Sequence, residues 1–119
     1  NASAARLEAE KTDRVLRIRS LKAKARSALA RIERLDDRID LYQQTLLPPM
    51  EEQADASLTA YNNDDGDFAE AVRARISELN AEVELIQMMA ERAKTLASFR
   101  YLTTEASNIP SFSMTDLQD

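Results

Sequence analysis

The sequence predicts an all-α fold, a long antiparallel helical hairpin of coiled-coil type. Two long apolar stripes recur in steps of three and four residues, the helical period rather than that of a strand. A cluster of poor helix formers, Asn62-Asn63-Asp64-Asp65-Gly66, separates them and holds the only glycine in 119 residues. Composition agrees: three prolines, few aromatics and abundant Ala, Leu, Glu, Arg and Lys suit long helices better than a mixed sheet domain.

The first helix is expected over about residues 6–61. Its seam is read at Ile18, Leu21, Ala25, Ala28, Ile32, Leu35, Ile39, Tyr42 and Leu46. Pro48-Pro49 removes two amides from this helix and is expected to kink it. The turn is placed at residues 62–66, where Asn or Gly closes a helix in the left-handed conformation and Asp65 or Asp67 caps the next. The second helix is expected over about residues 67–105. Its seam is read at Val72, Ile76, Leu79, Val83, Ile86, Ala90, Ala93 and Ala97. Pro110, Ser111, Ser113, Asp116 and Asp119 predict an irregular tail over residues 108–119. The whole chain reads as one such hairpin.

Both helices carry a second apolar stripe. On the second helix it runs through Leu85, Met88, Met89, Leu96, Phe99 and Leu102, and on the first through Val15, Leu16, Leu29, Leu41 and Leu47. A helix with two apolar stripes touches two neighbours, so the hairpin is expected to be incomplete alone. Association of the chain, as a dimer, is expected through Leu85, Leu96 and Phe99. The second helix reaches back only to about Lys24 at ~1.5 Å per residue, which leaves a basic overhang with Arg6, Lys11, Arg14, Arg17, Arg19 and Lys22. Residues 39–72 hold no Lys or Arg and eight acids.

The basic arm carries no interleaved aromatics and the net charge is −5, so nucleic acid is not an expected partner. The absence of Cys and His removes disulfides, thiolate and imidazole ligands and the commonest nucleophile and base pairs. The adjacent carboxylates Asp36/Asp37, Glu51/Glu52 and Asp64/Asp65 read as solvated faces and caps. Met50, Met88, Met89 and Met114 read as core filling rather than as ligands for a soft metal. The chain is therefore read as non-enzymatic, with no cofactor or metal. No apolar run is long enough to span a bilayer as a helix, and the alternating strands of a barrel are missing, so no direct membrane contact is expected. The lack of an initiator Met and the Asn1-Ala2 start suggest a segment of a longer protein.

The order Leu41, Tyr42, Leu46, Leu47, Pro48, then Ala60-Tyr61, then Asp67-Phe68 and a helix closing on Phe99-Arg100-Tyr101-Leu102-Thr103 resembles the C-terminal repeat of outer-membrane efflux proteins of the TolC type. The heavy-metal branch, the CusC and CzcC type, is nearest. The likeness covers residues 20–104. It implies a hairpin cut from a larger helical barrel on the periplasmic side of the outer membrane, a passive conduit in a homotrimeric channel. It also implies that Tyr61, Asn62, Asn63, Asp64, Asp65, Gly66, Asp67 and Phe68 form a tip docking to a periplasmic adaptor and its inner-membrane pump. The pattern departs from that family at Asp64, where glycine is usual, at Val72-Arg73, where a gating carboxylate is missing, and at the doubled proline. A coiled-coil interaction module, or the hairpin of an adaptor, is the alternative expectation.

Overall fold

The structure, a computed structural model, describes residues 1–110, 112, 113 and 115. It is all-helical: α1 spans Ala2–Leu41, a π-helical turn Tyr42–Leu46, α2 Leu47–Asn62 and α3 Phe68–Ser107. Among the described residues there is no strand. The long-helix hairpin expected from the sequence is thus the fold. Two compact units divide the chain, Glu33–Arg92 and Asn1–Ile32 with Ala93–Asp119.

In the unit Glu33–Arg92, the buried positions are Leu35 on α1, Ala54 and Ser57 on α2, and Ala71, Glu78, Ala81 and Met88 on α3. Small residues at Ala54, Ser57, Ala71 and Ala81 let the helix backbones approach closely. Three cross-links fix the antiparallel register. Arg92 donates from Nε to Asp36, the Tyr42 hydroxyl donates to Glu84 at 2.5 Å, and Arg75 bridges Asp55 at 3.2 Å and Glu78 at 2.8 Å. The Glu78 side chain is only 6% exposed, so the Arg75 guanidinium supplies the countercharge that a buried carboxylate needs.

The π turn explains how two consecutive prolines sit within a helical run. Neither Pro48 nor Pro49 can donate to the carbonyl four residues back, and their rings would crowd it. The Leu47 amide instead reaches the Tyr42 carbonyl, five residues back, and both prolines fall in the first turn of α2. The added residue moves the buried face from Tyr42 to Leu47 and Met50 and leaves Leu46 39% exposed. Leu46 is therefore off the seam on which the apolar spacing placed it.

A larger correction concerns α3. Val72, Ile76, Leu79, Val83 and Ile86, read as its seam, are 37–64% exposed. The face turned toward the first helix carries Ala71, Glu78, Ala81, Leu85 and Met88, and Leu85 and Met88 belong to the stripe read as a flank. Both stripes have helical period, so spacing alone does not rank them. The ion pairs do: Arg75 and Arg92 meet Asp55 and Asp36 only when this face is turned inward.

In the unit Asn1–Ile32 with Ala93–Asp119, Ala25, Ile32, Thr95 and Ala106 are buried, and Ile18, Leu21, Leu96, Phe99 and Leu102 are half-buried. Leu96 and Phe99 are thus seam residues as well, and the association expected through Leu85, Leu96 and Phe99 loses its exposed strip. Asn1 accepts a hydrogen bond from the Ala4 amide at 2.8 Å, an N-cap that starts α1 at Ala2 rather than near residue 6. The α3 helix extends to Ser107, and Glu105 pairs with Arg17 at 3.8 Å, so the overhang is shorter than the expected boundary implied. Beyond it the chain turns through Asn108 and Ile109, whose amides bond to Glu105 and Ala106 carbonyls, and Ile109 is 5% exposed. Ser111, Met114 and residues 116–119 of the expected irregular tail lie outside the described residues.

Candidate functional site

Three places in the unit Glu33–Arg92 gather chemistry or exposed apolar surface: the tip, the groove beside the π turn and the outward face of α3.

The tip is built by a Schellman closure. Asp65 donates to the Ala60 carbonyl at 2.8 Å and Asp64 to that of Tyr61 at 3.1 Å, with Asp64 at φ 61° in the left-handed region between them. Gly66 sits one step further on without a positive φ. Its role is steric, because a Cβ there would lie 2.7 Å from the Tyr61 nitrogen and 2.9 Å from the Ala60 carbonyl carbon. Asp67 then caps α3 by accepting from the Ala69 amide at 3.1 Å. Tyr61 and Phe68 meet across the closure as a tilted pair, ring centroids 5.5 Å apart and planes at 54°, with the residues 41% and 62% exposed respectively. The structure thus brings Tyr61, Asn62, Asn63, Asp64, Asp65, Gly66, Asp67 and Phe68 together on one exposed end of the unit.

The groove was not anticipated. Tyr42, Leu46, Met50, Ser77, Asn80, Ala81 and Glu84 line a cleft of about 360 Å³. The π turn carries Tyr42 and Leu46 to its rim, while Ser77, Asn80 or Ala81, and Glu84 recur at helical spacing along its wall. The hydrogen bond to Glu84 raises the Tyr42 hydroxyl above its ordinary value, helped by partial burial and by the negative charge of Glu84. The phenol donates and Glu84 Oε2 accepts. The cue in the sequence was the doubled proline beginning six residues after Tyr42, which a regular helix does not accommodate.

The α3 face carries the longest apolar array of the unit. Val72, Ile76, Leu79, Val83 and Ile86 lie roughly 150° around the helix from the seam residues, at ~100° per residue. Their spacing is heptad-like, with Ile76 and Val83 at one core position and Val72, Leu79 and Ile86 at the other. Phe68 and Met89 flank the array and are exposed too. Among the described residues no three of His, Cys, Asp and Glu form a group suited to a metal ion, and no helix is long and apolar enough to cross a membrane.

A family model described as "Putative rhamnosyl transferase" matches residues 12–113. No curated protein and no solved structure matches the chain. The match overturns the efflux resemblance and, with it, the reading of the chain as a conduit segment of an outer-membrane efflux channel. Helical apolar spacing and a turn bracketed by Tyr and Phe are common to unrelated hairpins, so the ordered residues that carried the likeness reported a hairpin and not its lineage. The matched segment takes in α1 from residue 12 onward and all of the π turn, α2 and α3, and the chain belongs to the rhamnosyl transferase family that this model describes.

Proposed function

We propose that this hairpin is an assembly element of a rhamnosyl transferase: it holds copies of the protein together through the outward face of α3 and contributes no reacting group to sugar transfer. The observation that carries this reading is the exposed heptad array Val72, Ile76, Leu79, Val83 and Ile86. Fully burying such a side chain is worth ~1.5–3 kcal/mol, so an array left in water favours association. The charged side chains of this unit support it from the other direction. Asp36, Asp55, Glu78 and Glu84 are each engaged in a cross-link between or along the helices, an arrangement that fixes register.

The experiment is thermal melting followed by circular dichroism over a wide concentration range. An assembly held by this face melts at a temperature that rises with concentration, and Ile76→Glu with Val83→Glu abolishes that dependence while helix content persists. A concentration-independent melt in the unsubstituted chain contradicts the proposal. Rhamnosyl transfer by this chain, lost in Glu84→Gln, would contradict its non-catalytic half.

One observation favours a second reading, in which the chain itself holds a saccharide. The groove sets the Tyr42 ring and the apolar Leu46 and Met50 against the polar Ser77, Asn80 and Glu84, the two-sided surface that a deoxyhexose presents in return. Titration with rhamnose, followed by shifts of the Tyr42 ring resonances, tests it. Shifts that saturate and vanish in Asn80→Ala support binding, and unshifted resonances exclude it.

A further inference from the structure

We propose that a second copy of this chain covers the outward face of α3 in the antiparallel sense, with Ile76 of one copy opposite Leu79 of the other. This rests on the assembly reading above and adds the partner, its direction and its register.

Charge selects this arrangement. In a parallel pair the positions flanking the core meet across the interface five residues apart, which sets Arg75 against Asn80, Glu82 against Gln87 and Met89 against Lys94. No opposite charges meet. Antiparallel pairs differ by heptad shifts. Setting Leu79 opposite Val83 places Glu82 against Glu82, a like-charge contact on the two-fold axis. A shift in one direction from there sets Arg73 against Lys94, and two shifts in the other set Arg75 against Arg75. The remaining register, Ile76 opposite Leu79, places Arg75 of each copy against Glu82 of the other. The Arg75 side chain is 40% exposed while it holds Asp55 and Glu78, so its outer edge is open to a third carboxylate.

The same register resolves the exposed apolar residues. Val72 faces Val83, and Ile86 faces Ala69 where α3 begins. Phe68, the α3 residue exposed beside the tip at 62%, comes against Met89, itself 41% exposed. A ring edge and a thioether are a favourable pair. Every exposed aliphatic side chain of the array thereby has a partner on the other copy, with isoleucine meeting leucine or alanine and Val72 meeting Val83.

The chain has no cysteine, so introduced pairs report register without background. Val72→Cys and Val83→Cys chains are mixed and oxidised mildly, and disulfide-linked dimers are counted on a non-reducing gel. The expected result is a mixed disulfide between the two variants, with little Val83→Cys homodimer, since the antiparallel register separates those two positions by about eleven residues, roughly 16 Å. Glu82→Arg is expected to weaken association several-fold. Sedimentation equilibrium on the same samples separates the two failures. A dimer whose Val83→Cys chains cross-link to themselves, or which yields no disulfide in any mixture, overturns the register while leaving assembly intact. A monomer overturns both.

Discussion

Asp64 and Gly66 divide between them the work that a single glycine does in many helix closures. Asp64 takes the left-handed conformation at φ 61°, which costs an L-residue some stability, while Gly66 provides room for the backbone of Ala60 and Tyr61. Two substitutions of opposite sign follow. Asp64→Gly is expected to raise stability by about 0.5–1 kcal/mol, and Gly66→Ala to lower it by about 1–3 kcal/mol, both read from urea unfolding. The turn was legible in the run Asn62 to Gly66, and Asp67, one of the two acids placed to cap α3, is the one that does so. That Asp64 rather than Gly66 would be left-handed was not legible, because the distinction depends on how close the chain passes to Ala60. Tyr42 offers a titration at the same scale. Its folded value lies above the ordinary phenol value of 10.0, so the stability it contributes is complete below about pH 10 and is lost as pH rises through the folded value. The melting temperature of the unsubstituted chain is expected to fall more steeply above pH 10 than that of Tyr42→Phe. Identical slopes would mean that the Glu84 hydrogen bond does not persist in solution.

At the scale of the element, the π turn and the two faces of α3 show what periodicity conveys and where it stops. The prolines marked a break in the first helix, and the break takes the form of one inserted residue that keeps both prolines at the start of α2. There each residue is compatible with its backbone. Pro48→Ala and Pro49→Ala are therefore each expected to change stability by less than about 1 kcal/mol. Relief of a proline in a regular helix interior would instead add about 3 kcal/mol. The α3 faces were the harder case. Val72, Ile76, Leu79, Val83 and Ile86 are more apolar than Ala71, Glu78, Ala81, Leu85 and Met88, and hydrophobicity favours them for the seam. What turns the less apolar face inward is complementarity with the first helix: small residues at Ala54 and Ser57, and acids at Asp36 and Asp55 placed for Arg92 and Arg75. Laying the two halves antiparallel and matching charges, rather than ranking hydrophobicity, identifies that face from sequence.

For the whole molecule, the fold class was legible in 119 residues because two long stripes and one turn admit few arrangements. The lineage was not. A hairpin is built from features that recur across unrelated families, and membership in the rhamnosyl transferase family rests on a match across residues 12–113 rather than on any short motif. The candidate site was legible in part: its apolar residues were recognised, but they were assigned to the inside. Turned outward, they make association the property on which the proposed function stands. Sedimentation equilibrium of the unsubstituted chain at high micromolar concentration, set beside Ile76→Glu with Val83→Glu, tests it most directly. The expected result is twice the 13.4 kDa chain mass for the first and the single chain mass for the second. A single chain mass for both, at every concentration, would contradict it.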